Sequence, residues 1–334
     1  MADVSFPRRR GHENDGPDHD EDRAQIILIT GLTLAVLFVA VVLLLNTVIY
    51  TENLATRGTD AGGAEAIEFR DDAVDDLAGI LHREHRNASD GDVLDDFDES
   101  AGTYGRTVAG LRARDGVIAN VSVNRSTVDR GYFVAQNETE SGFRNMTAPD
   151  GTTANWTVAG GVTRTRNYRM TVDPDDLSSS PDPVFTVVAD GTDGGTNETW
   201  SASLSAGSGD NLTVTVDDGD GSPATESFEP GPGGNHAVDF TGGTVNGVPF
   251  DALVWADGVQ TGSDPYDLRY ENGTAATGTY HLVVDDRDGG ASPDRPSRPY
   301  VADAVYSVYV ELTHRTPELT YGDAVRLAPG ERDA

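Results

Sequence analysis

Residues 26–50 read IILITGLTLAVLFVAVVLLLNTVIY. The stretch carries no charge, and it is apolar apart from Thr30, Gly31, Thr33, Asn46, Thr47 and Tyr50. Wound as a helix it extends roughly 36 Å, enough to cross a ~30 Å hydrocarbon core. Lipid offers no partner to a backbone N–H or C=O, so a helix is the form such a segment takes there. A removable signal has ~7–15 apolar residues and then a small-x-small cleavage site. Here Thr51-Glu52-Asn53-Leu54 come next instead, which predicts a span kept in the mature protein.

The flanks give the orientation. Arg8, Arg9, Arg10 and Arg23 precede the span and Arg57 alone lies close behind it. Basic residues stay on the cytoplasmic side, so the expectation is an inside N-terminus and an extracellular C-terminal domain in the cell membrane. Nine of the fifteen asparagines begin an N-x-S/T triplet: Asn87, Asn120, Asn124, Asn137, Asn145, Asn155, Asn197, Asn211 and Asn272. All nine lie C-terminal to the span. With 52 Ser and Thr among 334 residues, chance placement gives about two or three. Such triplets accept sugars only on exported chains, so they are candidate N-glycosylation sites on the outside.

The formal charge is −32, and all 24 basic residues are Arg. Acidity of this size argues against nucleic acid as a partner, because like charge repels. An acidic, Lys-free surface resembles proteins of extreme halophiles, in which carboxylates hold water and salt screens their repulsion. There is no cysteine, so apolar burial must stabilise the chain outside the span.

Read in order, the chain predicts an α+β protein with a single N-terminal transmembrane helix, an amphipathic helical hairpin and an antiparallel β-sandwich-like ectodomain. Residues 1–24 are a polar leader, expected to be disordered and cytoplasmic. Residues 25–50 are the span, and 51–115 a helical stalk and hairpin. In the first of its helices Ile67, Val74, Leu77 and Leu81 share one face. Gly58, Gly62 and Gly63 invite a bend or break before it. A turn over Asn87–Gly91 leads to a second helix from Asp92 to Arg114, with Val93, Phe97, Tyr104, Val108 and Leu111 on one face. The two stripes are expected to meet in an antiparallel pair.

From Gly116 the apolar period becomes two, which predicts a β-rich domain over 116–334. Val117–Val123 and Gly131–Ala135 read as its first strands. Further candidates include Trp156–Val158, Tyr168–Val172, Val184–Ala189, Thr199–Leu204, Leu212–Val216, Ala252–Trp255, Tyr266–Tyr270, Thr279–Val284, Ala304–Thr313 and Ala324–Leu327. Asn272-Gly273 between two of them reads as a hairpin turn. The Asp-, Gly- and Pro-rich stretch 217–236 is a candidate break between two lobes. Trp156, Trp200 and Trp255 are expected in the core.

Just before the span stands Arg23-Ala24-Gln25-Ile26: a basic residue, a small one, Gln, then the unbroken apolar helix. This is similar to the class III signal of archaeal type IV pilins and archaellins. The resemblance covers residues 23–50 and implies cleavage after Ala24, leaving Gln25 as the N-terminus, with the helix packing beside those of other pilin-like subunits. Gly31 and the Thr residues suit such close packing. That family often carries Glu at the fifth mature position, where this chain has Ile29. The layout of anchor, acidic helix and β-rich head also looks like haloarchaeal pilin-like surface proteins. The expected function is thus a structural or accessory surface protein. The alternative is a single-pass envelope binding or adhesion module that joins no filament.

Chemistry is sparse. His82 and His85 stand three apart, one short of the zinc-protease spacing, and read as an exposed helix end rather than metal ligands. Asp217–Gly221 and Asp285–Gly289 are Asp-Gly loops that could hold calcium, but neither has the EF-hand register. No nucleophile elbow or phosphate loop occurs, and no thiol exists. The expectation is a protein without enzymatic activity, cofactor or metal, whose partner is the lipid bilayer.

Overall fold

The structure, a computed structural model, describes residues 18–88, 93–139, 142–179, 183–191, 199–219, 221–259, 264–292 and 299–331; of 18–24 and 48–61 it describes the backbone. Most of the expected leader, the turn at 89–92 and Asn197 lie outside these residues. The chain divides into two compact units, Met1–Ala64 and Glu65–Ala334.

The first unit, where described, is helix. It is the greater part of α1 (Asp18–Asn87), which starts inside the stretch read as leader and continues through Gly58, Gly62 and Gly63 without a break. Every residue of Gln25–Thr47 is exposed.

The second unit begins with the remainder of α1, followed by α2 (Val93–Arg112). Among the described residues fifteen strands come next: β1 (Ile118–Gln136), β2 (Arg144–Asn145), β3 (Trp156–Val162), β4 (Thr165–Val172), β5 (Phe185–Gly191), β6 (Thr199–Ala206), β7 (Leu212–Asp217), β8 (Ala224–Phe228), β9 (His236–Asp239), β10 (Thr244–Val245), β11 (Val248–Pro249), β12 (Tyr266–Glu271), β13 (Thr277–Val284), β14 (Tyr300–Arg315) and β15 (Thr320–Leu327). They form two sheets, antiparallel throughout. One runs β11-β10-β9-β4-β13-β1-β14-β15, with β2 beside β13; the other runs β3-β12-β5-β6-β7-β8. The α+β class is as expected.

The sheets share one core. Tyr168 and Met170 from β4 and Leu282 from β13 meet Val187 from β5, Trp200 from β6 and Leu268 from β12. Alternation drives this, since β6 and β7 bury every second residue. Trp200 and Trp255 lie in that core with ring centroids 5.1 Å apart, and Trp156 packs partly buried against it.

A second core joins the helices to the larger sheet. Phe69, Ala73, Leu77 and Leu81 of α1 and Val93, Leu94, Phe97 and Ala101 of α2 cover Val121, Val308, Val310 and Leu312. The helices therefore bury their stripes against strands as well as against each other. Two stripe assignments are corrected: Ile67 is 56% exposed and Leu111 is 53% exposed. Ala66, Phe69, Ala73 and Leu77 form the buried face at spacings of three and four.

The two expected strands at 117–123 and 131–135 are one strand, β1, whose pairing with β14 shifts register between Asn124 and Arg130. The stretch Asn124–Arg130, polar apart from Val128, occupies that irregularity, which hides continuity in the sequence. Ala252–Trp255 form turns and not a strand. Asn272-Gly273 is no hairpin: β12 and β13 belong to different sheets, and the pair carries the chain from one to the other through a short 3-10 turn. The tight two-residue hairpin is Asn246-Gly247, both at positive φ, between the paired β10 and β11. Stretch 217–236 holds β8, which pairs with β7, and leads directly to β9 in the other sheet. It runs within the second unit.

Candidate functional site

Three threonines of the apolar helix in the first unit bond to their own helix. Thr30 donates to the Ile26 carbonyl at 2.7 Å, Thr33 to Ile29 at 2.7 Å and Thr47 to Leu43 at 2.8 Å. A hydroxyl bonded to its own helix needs no water, so none of these three obliges the segment to stay wet. Gln25–Thr47, a run of 23 residues, is long and apolar enough to span a membrane.

Residues 20–162 match the model of a family of unknown function, DUF7261. The match runs from the apolar helix through α2 and β1 to the end of β3. No curated protein matches the chain, and no solved structure does.

Four candidate acceptor asparagines are exposed: Asn87 at the end of α1, Asn120 on β1, Asn145 on β2 and Asn155 just before β3. Asn124, Asn137, Asn211 and Asn272 are half-buried. Asn124 donates its amide to Glu311 at 3.2 Å and accepts from the Ser126 hydroxyl at 2.6 Å. Asn272, at φ 55°, donates its amide to the Val184 carbonyl at 2.9 Å. Asn145, Asn155 and Asn272 come together at one corner, a convergence the sequence does not announce. There the Asn272 N–H donates to Asn155 Oδ1 at 2.7 Å, and the Met146 N–H donates to the Gly273 carbonyl at 2.8 Å.

The histidines of α1 require a correction. His85 is not at an exposed helix end: it is 1% exposed, and its Nε2 accepts the Val305 N–H at 3.2 Å. Phe133 stacks on it at 6.0 Å. His82 is half-buried, 5.1 Å from the ring of His281 on β13, with Asn167 Nδ2 3.2 Å from its Nδ1. Burial holds all three imidazoles below their usual range, and the positive charges of Arg86, Arg166 and Arg169 add to this at one or more of them. His281 is brought down to about 3. The cluster is neutral at pH 7. His281 lies about 200 residues from His82, and no local signal pairs them. Among the described residues, no group of three or more His, Asp or Glu could hold a metal ion.

The Asp285–Gly289 loop borders an open cleft of about 720 Å³, lined by Gly160, Gly161, Thr163, Asp267, Asp286 and Asp288. Its acids tie loops together. Asp267 accepts the Gly161 N–H at 2.9 Å, and the backbones of Asp288 and Gly160 exchange hydrogen bonds. Asp285, behind the rim, accepts N–H groups of Thr163 at 3.1 Å and Arg164 at 2.8 Å, the Arg164 Nε at 2.9 Å and the Thr163 hydroxyl. Burial raises its pKa, but these donors outweigh burial and hold it below the ordinary carboxylate value. In the other Asp-Gly loop, Asp217 accepts the Gly219 N–H at 3.0 Å, and Asp220 lies outside the described residues.

Proposed function

We propose that the chain is a single-pass membrane protein whose helix Gln25–Thr47 sits in the bilayer and whose β-rich unit faces the cell exterior, as a pilin-like structural or accessory surface protein of a halophilic archaeon. The observation that carries this reading is the charge-free helix, exposed along its whole length and flanked by arginines on its N-terminal side. Nine N-x-S/T triplets, all C-terminal to the span, support an exterior location for the β-rich unit. The large acidic excess supports a salt-rich exterior. The pilin-like part rests on Arg23-Ala24-Gln25 ahead of that helix. In this reading the protein acts by helix–helix packing in the membrane and display of its β-rich head, with no catalytic step and no cofactor.

Ile29, in place of a Glu at the fifth position after Ala24, favours a second reading: an uncut anchor that holds a binding or adhesion module in the envelope. Mass spectrometry of the mature N-terminus separates the two. A peptide beginning at Gln25 supports the pilin-like form, and an intact leader supports the anchor. Resistance of residues 65–334 to protease added to intact cells would overturn both.

A further inference from the structure

Three N-x-S/T triplets meet at the corner where β2, the start of β3 and the turn after β12 come together, and they differ in one respect each. Sugar transfer to asparagine needs two things of the acceptor: an amide nitrogen free to react, and a Ser or Thr hydroxyl two residues on that a transferase can reach. Asn145 is exposed, but its Thr147 is 4% exposed. Asn272 has the opposite fault. Its Thr274 is exposed, while its own amide is committed to the Val184 carbonyl at 2.9 Å. The backbone there has no slack, because a Cβ on Gly273 would stand 2.1 Å from the Met146 carbonyl oxygen. Asn155 alone of the three meets both conditions. It is exposed, its Oδ1 takes the hydrogen bond from Asn272 at 2.7 Å and leaves Nδ2 for reaction, and Thr157 lines the open cleft beside Asp267.

We infer that Asn155 is the glycan acceptor of this corner, that transfer follows folding, and that Asn145 and Asn272 stay bare. The inference rests on the exterior placement proposed above. The donor is a sugar activated at C1 as a phosphate ester and presented by a separate transferase. Asn155 Nδ2 forms the bond to C1, the C1–O bond breaks with its electron pair leaving on the phosphate, and the amide gives up one proton to a base of the transferase. The role of Asn272 is structural: it braces the Asn155 side chain against the turn between the sheets.

The test is glycopeptide mass spectrometry on the full chain purified from its native membranes. A glycan mass on the Asn155 peptide, with unmodified Asn145 and Asn272 peptides, is the expected result. Modification at all three would show transfer to the unfolded chain and overturn the inference. So would a bare Asn155, even when protease shaving of intact cells shows the β-rich unit outside; the surface reading would then survive alone. Because Asn155 also helps hold the turn, Thr157→Val is the second variant. It leaves the Asn155–Asn272 hydrogen bond in place and should abolish the added mass, while Thr157→Ser should retain it.

Discussion

His85 on α1 accepts the backbone N–H of Val305 on β14, 220 residues further along the chain, through a ring nitrogen that must be unprotonated to do so. The bond fixes the helix end to the sheet in one ionisation state.

Acid sensitivity is the consequence. Each buried imidazole has a folded pKa below its unfolded value of 6.5, so the unfolded chain takes up protons that the folded one refuses. The stabilisation is complete above about pH 6.5 and declines as pH falls, with the share of His281 declining down to about 3. Asp285, also held below its ordinary value, works in the same direction lower in the range. Urea midpoints measured from pH 7 to 3 should fall steadily, and His281→Phe should make the decline shallower. Parallel profiles for the two proteins would contradict the account.

His314 on β14 is fully buried, 5.7 Å from the ring of Phe69 on α1, and neither of its ring nitrogens has a partner among the described residues. An unsatisfied buried polar atom costs roughly 1–3 kcal/mol. His314→Leu keeps the volume and removes the polarity, so it should raise the stability of residues 65–334 by an amount in that range. A loss of stability in urea unfolding would indicate a partner the structure does not show.

Phe97 and Ile67 test which face of the helical pair is buried. Phe97 is wholly buried and Ile67 is 56% exposed. Phe97→Ala should destabilise by about 3–5 kcal/mol, and Ile67→Ala should stay within about 0.5 kcal/mol. Similar losses for both would mean that the exposed face is covered in solution.

Two arginines in the apolar helix, Val36→Arg with Val39→Arg, add roughly 2.5–3.5 kcal/mol each to insertion at a bilayer centre. The variant should move from the membrane pellet to the soluble fraction, or fail to be exported. Unchanged pelleting after a high-salt and carbonate wash would sink the anchor.

The sequence reveals elements better than their arrangement. The apolar helix and α2 are legible from apolar pattern, and β6, β7 and β12 from alternation, because burial imposes those periods locally. The pattern misplaces the buried face of α1 at Ile67, since the covered positions include Ala66 and Ala73, small residues that carry little apolar signal. Asn246-Gly247 and Asn272-Gly273 have the same two residues, yet one turns a hairpin and the other crosses between sheets; which strands flank them decides, and that is a long-range matter. The meeting of His82 with His281 and the convergence of three acceptor asparagines depend on the same distant pairings. The triplets themselves are legible, whereas the hydrogen bond that occupies Asn272 is not.

Arg166 is 1% exposed on β4, and its guanidinium donates to the carbonyls of Val305 at 2.7 Å, Tyr306 at 2.6 Å and Pro329 at 2.8 Å. The first strand, β1, likewise waits for β14 as its neighbour. A nascent chain therefore cannot close this domain until the stretch from Tyr300 to Pro329 has been made. If the β-rich unit is exported as proposed above, a channel working during synthesis would thread an open polypeptide, and the head would take shape on the far side.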